Sequence, residues 1–196
     1  MNDLSRLSKP RPTTQAAEGV PRLRWTLAEF ERLTELGIFT EDDRIELIGG
    51  ELVPMSPKGN RHDLLRDELA DVLTQQMPRS HRLSSEIAWR PDTTTYLEPD
   101  ILIYPRPLKG VRVPGAELSL VIEIADSSLK YDLTTKARTY ASLGVREYWV
   151  VNANTLVTRV QRQPSTQGLR AFCRNPSKRT PGTAACPFHF YNARRS

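Results

Sequence analysis

The chain has little of several things that would narrow its function quickly. Its 196 residues include only two cysteines, Cys173 and Cys186, and neither belongs to a Cys or His pair at zinc-ligand spacing. A disulfide framework and a structural zinc are therefore not expected. No stretch approaches the roughly 20 apolar residues of a membrane span. Met1 to Arg24 holds no apolar block of signal-peptide type, so a cytoplasmic protein without a membrane partner is expected. There is no His-rich metal cluster, no Gly-rich nucleotide loop and no internal repeat.

What is present is charge, unevenly placed. The net charge is +5, from 28 basic and 23 acidic side chains. Residues 1–24 hold five of the basic and two of the acidic groups, and residues 162–196 hold seven basic and no acidic ones. That leaves 16 basic against 21 acidic in residues 25–161, a net −5. The positive excess lies wholly in the two ends, where it is as consistent with solvated appendages as with a grip on phosphates.

The length allows one domain with a sizeable core. Residues 1–24, with Pro10, Pro12 and Pro21 and few apolar groups, are expected to form a flexible leader. Thr26, with Glu29 three residues on, starts a helix carrying Leu27, Phe30, Leu33 and Leu36. Arg44–Ile48 and Glu51–Met55 around Gly49-Gly50 are expected to form a hairpin. His62 to Met77 carries Leu65, Leu69, Val72 and Leu73 on one helical face. Strands are expected over 83–89, 100–104, 118–125, 147–151 and 156–160, with a helix over 133–143 capped by Asp132. The fold class is α/β or α+β, a mixed central sheet flanked by helices over residues 25–162. Beyond Gln161 no periodicity is sustained, so the basic, Pro-rich tail of residues 163–196 is expected to be disordered.

Within this frame one residue stands out. Glu123 lies in the apolar run Leu118-Ser119-Leu120-Val121-Ile122-Glu123-Ile124-Ala125. An unpaired carboxylate there costs several kcal/mol, so it needs a metal, a cation or a proton. Strand alternation sets Glu123 among the smaller Ser119, Val121 and Ala125, where there is room. Asp100, after Pro99, begins the strand Ile101-Leu102-Ile103-Tyr104 and sits at a sheet end. Two such carboxylates share a site comfortably when a divalent cation neutralises them. Lys136 falls on the stripe Leu133, Lys136, Tyr140, Leu143. A lysine there commonly snorkels to the rim, but one turned towards two strand carboxylates orients a water or stabilises a phosphoryl oxygen. Glu46 is read either as a solvent-facing strand residue or as a third acidic metal ligand. His62 is a supporting residue at a helix start. Lys58, Arg61 and Lys130 lie in expected loops near the site, where cations meet phosphate without specificity.

Taken together, Ile45-Glu46-Leu47-Ile48-Gly49-Gly50, His62, Glu98-Pro99-Asp100-Ile101, Val121-Ile122-Glu123-Ile124, Asp132 with Lys136, and Gly144-Val145-Arg146-Glu147-Tyr148-Trp149 form a recognisable set. The set resembles the Uma-type restriction-endonuclease family, within the PD-(D/E)XK nuclease superfamily, over roughly Trp25 to Arg162. The resemblance implies a restriction-endonuclease-like core and Mg²⁺- or Mn²⁺-dependent cleavage of DNA. By position Asp100 matches the PD aspartate, Glu123 the second-strand acid and Glu46 the acid of the N-terminal motif. Ala125 stands where the superfamily lysine would fall, and Lys136 matches the lysine that the Uma-type pattern moves to the next helix. Where the family carries Ser-Pro-Ser after the second acid, this chain has Ala125-Asp126-Ser127-Ser128. Homodimers are common among such nucleases. The reading from another class is a catalytically inactive nuclease fold that binds DNA or a protein.

Overall fold

The computed structural model describes residues 13–15, 19, 21–165 and 168–174. In chain order the first elements are β1 (Thr13–Gln15), β2 (Pro21–Leu23), α1 (Leu27–Glu35), β3 (Ile45–Ile48), β4 (Glu51–Pro54), α2 (Asn60–Gln76), β5 (His81–Ser85), β6 (Trp89–Asp92) and β7 (Thr95–Leu97). There follow β8 (Ile101–Pro105), β9 (Leu120–Ala125), α3 (Leu129–Tyr131), α4 (Ala137–Ser142), β10 (Glu147–Asn152), β11 (Thr158–Ser165) and β12 (Gly168–Arg174). The chain forms two compact units, one of residues 1–55 and 92–97, the other of residues 56–91 and 98–196.

In the first unit, the helix signal at Thr26 becomes a complete capping box. Thr26 Oγ1 accepts from the Glu29 amide at 3.2 Å, and Glu29 Oε2 accepts from the Thr26 amide at 3.0 Å. The β3–β4 hairpin turns at Gly49 and Gly50, with φ of 57° and 89°. Both angles are left-handed, the conformation that glycine supplies without strain. A Cβ on Gly50 would also come within 2.8 Å of Arg24 Cβ. Leu27, Phe30 and Leu47 are the core, packed by Trp25, Phe39, Ile45, Leu52 and Tyr96. The pairing of β1 with β2 lies inside the segment expected to be a flexible leader.

The second unit is built on a six-stranded sheet in the order β12-β11-β10-β9-β8-β5. β9 and β10 run parallel and the remaining neighbours antiparallel. Every residue of β9 is buried, so this central strand is covered on both faces. Leu120, Ile122 and Ile124 join Ile101, Ile103, Val151 and Leu73 in one apolar cluster, against which Leu65, Leu69 and Met77 pack. On α2 these contacts follow successive four-residue steps, 65, 69, 73 and 77. Val72 falls off the edge of that drifting row and is 48% exposed, contrary to its expected place on the apolar face.

Three further expectations are corrected. The strand expected over 83–89 is broken at Glu86, whose φ of 50° cannot continue a strand. Asp132 is not the N-cap: α3, a π-turn over Asp132–Lys136 and α4 run on as one helix over 129–142, and Asp132 lies inside it. Its carboxylate is buried and accepts from Ser128 Oγ at 2.5 Å. The sheet also continues past Gln161, because β11 runs to Ser165 and pairs with β12 from Thr158↔Arg174 to Ser165↔Gly168. Backbone pairing carries this ladder, and the Arg and Gln side chains along it conceal the apolar alternation that sequence reading relies on. The remainder of the expected tail, residues 175–196, lies outside the described residues.

Candidate active site

Asp100 and Glu123 meet at one end of the β8–β9 pair. The ladder sets Ile101 opposite Ile122, so one further step brings Asp100 level with Glu123. The link is direct, since the Ile124 amide donates to Asp100 Oδ2 at 2.7 Å. Asp100 and Glu123 are 2% and 4% exposed. Strand alternation turns Glu123 away from the apolar cluster and towards the 129–142 helix, as its neighbours in sequence predict.

Glu123 Oε1 accepts two hydrogen bonds from that helix, one from Lys136 Nζ at 2.9 Å and one from the Tyr140 hydroxyl at 2.6 Å. The two donors are four residues apart, adjacent on one helical face. Lys136 is thus buried and paired, and does not snorkel to the rim. The Tyr140 ring is held by Tyr148, with centroids 4.8 Å apart, and stacked on Trp89 at 6.0 Å. The Tyr148 hydroxyl in turn donates to the Asp132 carbonyl at 3.1 Å, within the π-turn.

Asp100 draws on the other end of the unit. His62 Nε2, in the first turn of α2, lies 3.0 Å from Oδ2, and Lys58 Nζ lies 2.8 Å from Oδ1. The Lys58 ammonium thus forms a buried ion pair with Oδ1. Burial opposes ionisation of Asp100, but the His62 hydrogen bond and the Lys58 charge outweigh it. Its carboxyl is held well below the usual carboxylate range. The reciprocal effect acts on His62: burial disfavours its charge, and the hydrogen bond and charge of Asp100 overcome that and raise its pKa. Its Nδ1 stands 3.2 Å from Asp63 Oδ1, so both ring nitrogens face carboxylates. Lys58 is likewise raised, its burial outweighed by Asp100 and Glu86.

A second layer surrounds this end. Lys58 Nζ also reaches Glu86 Oε1 at 2.8 Å, and Arg66 reaches Glu86 Oε2 at 2.7 Å. Arg61 donates to Asn154 Oδ1 at 3.1 Å, and Asn154 Nδ2 donates to Asp126 Oδ1 at 3.0 Å. Asp126, the residue departing from the family pattern, is held by that asparagine. Lys130 is exposed.

The structure therefore brings Asp100, Glu123, Lys136 and His62 into one connected set. Glu46 belongs to the first unit, on β3, where it is 2% exposed and not solvent-facing. Its expected part in an acidic site rests on the motif. Sequence reading passed over Tyr140, although its spacing of four from Lys136 was a usable signal. It passed over Arg66 and Glu86 for want of any signal, because Glu86 enters through a backbone break that no residue pattern announces.

The carboxylates of Asp100 and the neighbouring Glu123 are hard oxygen donors of the kind Mg²⁺ and Mn²⁺ take. Among the described residues no three His, Cys, Asp or Glu side chains form a metal cage. No helix of the described residues is long and apolar enough to cross a membrane.

Comparison with known proteins agrees with this architecture. A crystal structure of a putative nuclease of the DUF820 family from Anabaena variabilis ATCC 29413 superposes with a TM-score of 0.59 at 17% identity, covering 76% of this chain and 84% of that one. At that identity the likeness is one of fold. No curated protein matches the chain. The model of the Uma2 family, described as putative restriction endonucleases, matches residues 27–186, and a match over that much of the sequence makes this chain a member of the Uma2 family.

Proposed function

We propose that the protein is a metal-dependent endonuclease that hydrolyses DNA phosphodiester bonds. The observation that carries the reading is the pair of buried carboxylates on adjacent strands, Asp100 and Glu123, joined through the Ile124 amide and supplied with a lysine. Membership of a restriction-endonuclease family supports the nuclease class.

Asp100 and Glu123 would hold Mg²⁺ or Mn²⁺. A divalent cation there supplies a Lewis acid for the phosphoryl oxygen and a bound water of lowered pKa. Lys136 would orient the attacking water and offset charge on phosphate, its ammonium kept in place by Glu123. Tyr140 leaves Glu123 one defined orientation, and His62 and the Ile124 amide do the same for Asp100. Glu46 as a further acid rests on its place in the family motif.

The test is nicking of supercoiled plasmid with Mg²⁺ or Mn²⁺. Wild type is expected to nick, and EDTA or Asp100→Ala to abolish it. Absence of nicking by folded, metal-supplied protein would instead favour a non-cleaving binding module.

A further inference from the structure

Glu86 has no part in the chemistry above, yet it is placed with unusual specificity. It lies at the bend after β5 with φ of 50°, a left-handed conformation that side-chain-bearing residues rarely adopt. Its amide donates to the Asp100 carbonyl at 3.1 Å, which ties the bend to the candidate active site. Its two carboxylate oxygens take one cation each, Oε1 from Lys58 at 2.8 Å and Oε2 from Arg66 at 2.7 Å.

The two cations are more enclosed than the anion. Their side chains are 11% and 14% exposed, against 40% for Glu86. They come from different segments, Lys58 from the turn before α2 and Arg66 from its second turn. One anionic centre presenting two acceptor oxygens to a lysine and an arginine is also what a phosphodiester offers, and Arg is well suited to such an acceptor. The same lysine stands 2.8 Å from Asp100, so an anion at this position would lie beside the proposed metal ligands.

We propose that Lys58 and Arg66 form a phosphate-binding subsite for the DNA backbone, and that Glu86 occupies it as an internal stand-in that the phosphate displaces. The inference rests on the nuclease reading for its ligand, but it is a statement about binding and is tested without cleavage. On this reading Glu86 lowers the salt concentration at which DNA stays bound, so that strands holding only weak contacts elsewhere do not displace it.

The experiment is binding of a short labelled DNA duplex to the full chain in EDTA, followed by fluorescence anisotropy across a salt series. Glu86→Gln is expected to tighten binding roughly two- to fivefold, the scale of one partly exposed ion pair, and to steepen the salt dependence by about one released counterion. The decisive comparison is a double-mutant cycle with Arg66→Met, which separates displacement from a mere loss of negative charge. The gain from Glu86→Gln should shrink in the Arg66→Met background and likewise in the Lys58→Gln background, since each removes one of the two cations that Glu86 covers. No gain from Glu86→Gln, or the same gain in both backgrounds, overturns the proposal. Plasmid nicking is read separately. Absence of nicking with the binding cycle intact would defeat the nuclease reading alone, and nicking without coupling would defeat the subsite alone.

Discussion

The two carboxylates at the end of β8 and β9 carry the same charge into the same low-dielectric region and are stabilised in opposite ways. Glu123 is held from within, by two donors four residues apart on one buried helix face, with aromatic rings fixing the tyrosine. Asp100 is held by a histidine and a lysine that are themselves enclosed, with side chains 4% and 11% exposed, but whose own partners, Asp63 and Glu86, reach the surface. The contrast assigns different freedoms to the two ends. A pair closed off from water is strong only as a pair, because either member alone is a buried charge without compensation. A carboxylate faced by cations whose partners reach the surface can exchange them for another cation, which is the property a metal ligand requires.

That contrast is broken most severely at Lys136. Lys136→Met leaves Glu123 buried without its cation and is expected to destabilise the fold by about 3–5 kcal/mol, read from denaturant unfolding. Glu123→Leu combined with Lys136→Met should recover most of that loss while remaining unable to nick DNA, which would separate the pair's structural cost from its chemistry. Tyr140→Phe keeps the ring packing and removes one donor, so about 1–2 kcal/mol is expected. The remaining Lys136 contact should keep the protein folded, and nicking should fall as Glu123 loses its fixed orientation. At the other end, Lys58→Met leaves Asp100 its His62 and Ile124 contacts, so a loss of about 1–2 kcal/mol is expected, below that of Lys136→Met. Equal costs for Lys136→Met and Lys58→Met would erase the distinction between the two ends.

Much of this was legible before any coordinates. An acid in an apolar strand declared its need for a partner, and Lys136 on an apolar stripe supplied one. The hairpin and the first helix followed from Gly49-Gly50 and from Thr26 with Glu29, signals that act within a few residues. Asp100, after Pro99 at the start of the next apolar strand, was readable as the second acid, and the family motifs agreed. What stayed hidden depends on backbone geometry or on distant pairing. Glu86 reaches the site through a left-handed bend, and β12 joins the sheet through its pairing with β11. Asp132 has the chemistry of a cap, but a π-turn places it inside the helix, where its carboxylate takes the Ser128 hydroxyl.

The smallest expected effect is a pH dependence confined to the Asp100 end. His62 has a folded pKa raised above its ordinary 6.5, so its ion-paired contribution is fully present below 6.5 and is lost as pH rises through the higher folded value. Asp100 has a folded pKa lowered from 3.8, so its contribution is present above 3.8 and is lost as pH falls towards the folded value. The pair therefore stabilises most between these two ordinary values. Melting temperatures of wild type and His62→Gln, compared from pH 5 to alkaline pH, should differ most at the acid end of that range and converge above 6.5. A difference that stays constant with pH would mean that His62 holds Asp100 as a neutral donor, and that the Asp100 end is as fixed as the Glu123 end.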